Sequence, residues 1–151
     1  MKINWKVLIA SLLIVYLVAA VGSIFTSGNT SGEWYESIKP SITPPSWVFP
    51  VVWNILFFLI AISLYLAWIS GKKKKIIVIV FGINFLLNIL WSLLYFKMQN
   101  PLYAFIELIF LWLSILLMII VTYKINKTSS YLLIPYLLWV SFAGILNWLS
   151  I

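Results

Sequence analysis

Polar positions in this chain fall into short clusters, and the stretches between them are apolar over membrane-crossing lengths. Residues 7–25, 47–69, 76–96, 102–123 and 131–151 are such stretches. Each is about 20 residues long, and at a rise of about 1.5 Å per residue a helix of that length spans a hydrocarbon layer of roughly 30 Å. A transmembrane β-barrel would instead show runs of about 10 residues with strict alternation, and no such pattern is present. The hydropathy pattern predicts an all-α polytopic membrane protein, a bundle of five helices over about 5–26, 44–70, 76–97, 101–124 and 129–150, with one long loop at 27–43.

The polar breaks sharpen these limits. Ser27-Gly28-Asn29-Thr30-Ser31-Gly32 closes the first helix, and the loop that follows carries Lys39-Pro40 and Thr43-Pro44-Pro45. Thr43 is the expected N-cap of the second helix, with both prolines in its first turn, where a missing N–H costs nothing. Gly71 and Lys72 to Lys75 end that helix, Gln99-Asn100-Pro101 makes a tight hairpin, and residues 126–130 join the last two helices. Lys2 and Lys6 ahead of an apolar run, then Ala19-Ala20-Val21-Gly22-Ser23, also fit a cleaved secretory signal. A retained helix is the preferred reading, because the run exceeds the 7–15 apolar residues of a signal core.

Composition agrees with lipid as the solvent. Hydrophobic residues make up 64% of the chain and charged residues 9%, with a mean hydropathy of +1.12, against the ~25% charged residues that a water-facing surface requires. The net charge of +7 comes from ten lysines and three glutamates, with no arginine and no aspartate. With five crossings, Lys2, Lys6, Lys72, Lys73, Lys74, Lys75, Lys124 and Lys127 fall on one side, and Lys39 and Lys97 on the other. The positive-inside rule then places the N-terminus in the cytoplasm and the long loop and C-terminus outside a bacterial-type plasma membrane. A nucleic-acid partner is not expected, since no soluble domain carries the charge. Cysteine and histidine are both absent. That excludes disulfides and Ser/His or Cys/His nucleophilic catalysis, and leaves only carboxylates for zinc. Haem ligation by Met or Tyr stays open. No metal and no resident cofactor are expected.

Polar groups inside lipid-spanning helices are costly and therefore candidates for function. Asn84, Asn88, Trp91 and Tyr95 share a face of the third helix. Trp53, Asn54 and Phe57 lie on the second, Tyr103, Glu107 and Ser114 on the fourth, and Tyr136, Trp139, Ala143 and Asn147 on the fifth. Helix–helix adhesion by the amides, at about 0.6–2 kcal/mol each, is the competing reading. For Trp53 and Trp139 a binding role and packing stand level, and so do a functional and a neutral, hydrogen-bonded structural Glu107. Trp5, Trp34, Trp68, Trp112 and Trp148 read as interfacial anchors or packing groups. The run Lys72 to Lys75 reads as a topology signal in contact with anionic lipid.

Trp34-Tyr35, Lys39-Pro40, Thr43-Pro44-Pro45, Trp47-Val48-Phe49-Pro50 and Val52-Trp53 resemble the first loop and second helix of the tryptophan-rich sensory protein/translocator protein family (TspO/MBR, peripheral benzodiazepine receptor). Asn84, Asn88 and Trp91 resemble its third helix, and Leu133-Ile134-Pro135-Tyr136-Leu137 with Trp139, Phe142-Ala143 and Leu146-Asn147 its fifth. The likeness covers essentially the whole chain, 1–151, as a single domain. It implies a five-helix bundle, often a homodimer, that binds protoporphyrin IX-type tetrapyrroles and related hydrophobic ligands in a pocket under the first loop. By motif position Tyr35, Trp53, Asn88, Trp91, Trp139 and Ala143 would line that pocket, with Asn84, Glu107, Phe142 and Asn147 as further candidates. Sterol recognition in animal members uses a Leu/Val, Tyr, Lys/Arg segment after the fifth helix. Here Asn147-Trp148-Leu149-Ser150 stands at that place without a basic residue, and a loose match occurs at Val121, Tyr123 and Lys127; sterol is a doubtful partner.

The resemblance implies first a porphyrin-binding membrane receptor or sensor. Its alternatives are a light- and oxygen-dependent porphyrin-degrading enzyme, in which Trp53 and Trp139 would be the catalytic residues, and a tetrapyrrole or lipid transporter, for which Glu107 is the main clue. A scaffold without a ligand is the remaining alternative. Small residues Ala10, Ser11, Ala19, Ala20 and Gly22 form a strip on helix one suited to close packing.

Overall fold

The computed structural model describes residues 3–71 and 73–151; Lys2 and Lys72, two of the lysines that mark the N-terminal side, lie outside them. The described chain is helical and holds five helices long and apolar enough to cross a membrane. The elements are α1 (Trp5–Thr26), α2 (Glu33–Ile38), α3 (Val48–Ile69), α4 (Lys74–Ser92) continued by a π-helical turn (Leu93–Lys97), α5 (Pro101–Tyr123), α6 (Lys127–Tyr131) and α7 (Ile134–Trp148). Around the bundle, α1 packs on α3 and α4, α4 on α5, and α5 on α6 and α7. The ring closes between α3 and α6, with a lighter contact between α3 and α7.

Side-chain caps set three starts. Asn4 Oδ1 accepts from Val7 N–H at 3.3 Å, Asn100 Oδ1 from Tyr103 N–H at 3.1 Å, and Asn126 Oδ1 from Ser129 N–H at 3.1 Å. Each satisfies an N–H that the helix itself leaves free. Ile60, Ala61, Ile77, Phe81, Ile115, Met118, Leu133, Tyr136 and Val140 fill the centre, all nearly inaccessible. Leu13, Leu17, Leu86, Phe110 and Leu138 are exposed on the outside, where acyl chains are their solvent.

Three boundaries differ from the sequence expectation. The second crossing begins at Val48, four residues after the expected position 44, and Thr43 caps nothing; its hydroxyl is buried without a partner. Each of Pro44 and Pro45 pushes the residue before it toward extended backbone, so the helix starts only after a turn closed by Val48 N–H to Pro45 O at 2.9 Å. The 27–43 loop contains a short helix, α2. The fifth crossing, expected to be continuous over 129–150, is two helices broken at Leu132 and Leu133. Pro135 has no N–H to offer the preceding turn, and α7 restarts with it in its first turn.

The broken crossing is held by serines. Ser63 Oγ donates to Ser129 O at 2.8 Å and Ser129 Oγ to Ser63 O at 2.7 Å, locking α6 to α3. Ser130 Oγ donates to Ile119 O at 2.9 Å and ties α6 to α5. On the far side, α5 and α7 meet at Gly144, where a Cβ would come within 3.1 Å of Leu108 Cδ2.

Candidate functional site

The sequence-predicted residues gather in the half of the bundle that lies under the 27–47 loop. They form three connected groups.

The first is a buried polar chain between α4, α5 and α7. Asn88 Nδ2 donates to the Tyr136 hydroxyl at 3.0 Å, Tyr136 donates to Asn84 Oδ1 at 3.3 Å, and Asn84 Nδ2 donates to Ser114 Oγ at 2.9 Å. Ser114 Oγ donates to Leu111 O at 2.7 Å. Asn84 and Asn88, expected at a ligand, are thus held by Tyr136 and Ser114. Beside them on α5 stands Glu107. It is 6% exposed, and among the described residues neither carboxyl oxygen has a hydrogen-bond partner. The hydrogen bond expected of a structural Glu107 is not formed among the described residues.

The second group lies directly beneath α2. The π-turn inserts one residue into the helical repeat, shown by Met98 N–H bonding to Leu93 O at 2.9 Å. Two consecutive aromatics, Tyr95 and Phe96, are thereby both buried. Trp34 packs edge-on to Tyr95 at 5.8 Å and Tyr35 against Phe96 at 5.9 Å, so α2 is docked as a cap. Trp91 stacks on Tyr95 at 5.2 Å, and its indole N–H donates to Asn147 Oδ1 at 3.1 Å. Asn147 Nδ2 in turn donates to Pro101 O at 2.8 Å, and the Tyr95 hydroxyl donates to Ser150 Oγ at 3.0 Å. Burial, with smaller contributions from Tyr95 and Glu36, pushes the Tyr35 phenol above its ordinary range. Tyr35 therefore stays a neutral hydrogen-bond donor at any physiological pH.

The third group borders the seam of α3 and α7. Trp53 stacks on Phe57 at 5.3 Å and meets Tyr136 edge-on at 6.1 Å. Trp139 packs against Phe49 at 5.9 Å and Phe142 at 5.6 Å. Both indoles are half-buried, and Ala143 is half-buried one turn beyond Trp139. A cavity of about 360 Å³ opens at this seam, lined by Val52, Ile55, Leu56, Pro135, Leu138 and Trp139. Trp139 forms its wall; Trp53 lies behind it, turned toward Tyr136. The two tryptophans flank one seam without sharing the lining of this cavity.

Sequence reasoning gave Tyr136 only a place on a helix face, whereas it is the joint of the whole polar chain. A Tyr three residues before Trp139 and one helix away from two Asn residues was the available signal. The π-turn left none, since Leu93 to Lys97 reads as ordinary helix.

Comparison with known proteins follows the same residues. The sequence profile of the TspO/MBR family matches residues 10–150. The chain is 41% identical over 146 residues to the tryptophan-rich protein TspO of Archaeoglobus fulgidus, covering 93% of this chain and 92% of that protein. It is 28% identical to the tryptophan-rich sensory protein of Cereibacter sphaeroides, covering 97% and 90%, and 27% identical to the translocator protein of Bos taurus, covering 87% and 83%. A match that runs through all five crossings and takes in every candidate residue leaves one conclusion: the chain belongs to the TspO/MBR family of integral, multi-pass membrane proteins.

Proposed function

We propose that this protein is a membrane receptor for porphyrin-type tetrapyrroles, taken up between α3 and α7 and covered by α2. The observation that carries the reading is the apolar cavity at the α3/α7 seam, walled by the Trp139 indole; the buried carboxyl of Glu107 on α5, without a hydrogen-bond partner among the described residues, supports it. A buried acceptor without a donor costs about 1–3 kcal/mol, more if charged, a cost that an O–H on a protonated carboxyl substituent of the ligand would remove. A flat macrocycle also needs apolar walls and aromatic surfaces. Trp139 and Phe142 provide these on α7 and Phe49 on α3, with Trp53 behind them, stacked on Phe57. Tyr35, as a neutral phenol on the cap helix α2, is a donor for an acidic substituent, and Asn88 retains a second amide N–H beyond the one given to Tyr136. Trp91 bonds to Asn147, and Asn147 to Pro101 at the start of α5; their role in this reading is to hold the pocket's shape. Ala143 keeps the α7 wall shallow beside Trp139.

Titration of the purified protein with protoporphyrin IX, followed by tryptophan fluorescence, tests this. Saturable quenching is expected, weakened about tenfold in Trp139→Phe, which loses indole surface on the open wall, and less in Trp53→Phe, which stays supported by Phe57. Unchanged affinity in both variants removes the α3/α7 seam as the site.

A further inference from the structure

The opposite face of the bundle carries a second cavity, of about 310 Å³, lined by Asn4, Val7, Tyr65, Trp68, Ile69, Gly71 and Lys74. It lies where the start of α1, the end of α3 and the start of α4 meet, far along the helices from Trp139. We propose that it is a binding site for the phosphate headgroup of an anionic membrane lipid.

The donors argue for an anion. Lys74 Nζ stands 5.1 Å from the centre of the Trp68 ring, held over the cavity wall by a cation–π contact. Tyr65 is 7% exposed. Its oxygen accepts from Asn4 N–H at 3.2 Å, and among the described residues nothing accepts its own proton. A buried hydroxyl keeping an unused donor at a cavity is a polar group waiting for an acceptor. No carboxylate lines the cavity. The chain's three glutamates are elsewhere, Glu33 and Glu36 on α2 and Glu107 deep in α5. The surroundings are uniformly cationic, with Lys6, Lys73, Lys75, Lys124 and Lys127 at the same end of the bundle.

The shape argues for a lipid. The volume is at the low end of small-molecule pockets, which run from about 300 to 1,000 Å³, so it suits a headgroup better than a large ligand. Val7 and Ile69 form its apolar edge, and exposed Ile14, two turns on from Val7 on the same face of α1, continues it. A phosphate seated on Lys74 and Tyr65 leaves its acyl chains running down that helix. Trp68 at the level of the headgroups is where an indole is at home. Gly71, at φ +70°, makes the turn that brings α4 back beside α3.

Native mass spectrometry of the intact protein, released from nanodiscs of phosphatidylglycerol or phosphatidylcholine, tests the site. One retained phosphatidylglycerol per chain is expected, with little phosphatidylcholine. Tyr65→Phe, which changes no charge, should reduce retention severalfold, and Lys74→Gln by about tenfold, while Lys74→Arg restores most of it. Lys124→Gln removes the same charge at the same end and should leave retention at the wild-type level. Equal losses in Lys74→Gln and Lys124→Gln, with Tyr65→Phe unaffected, would mean a diffuse basic surface and overturn the site. Displacement of the lipid by millimolar inorganic phosphate would overturn the lipid assignment in favour of free phosphate. Circular dichroism and thermal unfolding of each variant separate a lost site from a lost fold.

Discussion

Glu107 is the residue on which structure and function pull apart. Its carboxyl is buried and unpartnered, a cost the fold bears without return in the absence of a ligand. Glu107→Met keeps the volume and removes the polar atoms. The unliganded variant should unfold with a free energy about 1–3 kcal/mol higher than wild type, and should bind protoporphyrin IX more weakly. A variant less stable than wild type would show that the carboxyl has a donor of its own. Tyr35 offers a test by pH. A phenol raised by burial is neutral in the docked cap, so the docking it supports is complete below about pH 10, the ordinary tyrosine value, and is lost only as the pH climbs through the higher folded value. The phenolate absorbance of wild type minus Tyr35→Phe should titrate above that ordinary value; a midpoint at or below it would mean that α2 does not shield the ring.

At the scale of elements, the apolar runs located all five crossings, because a lipid-spanning helix is recognised by length and hydropathy alone. Their ends were less legible. Thr43 carried the composition of a cap, yet the prolines beside it decide the backbone, and the helix waits for Val48. The Pro135 break was visible as a residue but not as a consequence, since prolines within membrane helices are often absorbed by neighbours. Here the serine clasp of Ser63 and Ser129 does that absorbing, and a pair of serines separated by 66 positions gives no pattern to read. The candidate site shows the same division. Trp53, Trp139, Asn88 and Trp91 were recognisable from motif spacing, and the structure brings all of them into one half of the bundle. What spacing could not tell is which polar atoms are already spent: Asn84, Asn88, Trp91 and Asn147 have internal partners, and Glu107 has none.

For the whole molecule, five crossings place the first and last helices' outer ends on opposite faces, and every described lysine except Lys39 and Lys97 is on the face of the α1 start. The absence of native cysteine makes this side assignment testable without background. In right-side-out cells, Ser41→Cys in the long loop should react with an impermeant maleimide, and Lys75→Cys should react only after the membrane is opened. The reverse pattern would invert the orientation drawn from the lysines. The two cavities divide along the same axis, one beneath the loop at the α3/α7 seam and one at the lysine-rich end.

The light contact between α3 and α7 has a consequence for how any greasy guest arrives. The notch beside Trp139 opens on the outer surface of the bundle between exposed Ile55 and Leu138, and α6 is bonded to α3 through Ser63 and Ser129. A molecule that partitions into the membrane is already concentrated there and already stripped of water. For the receptor proposed above, the aqueous concentration of a tetrapyrrole then governs occupancy only through how much dissolves in the bilayer.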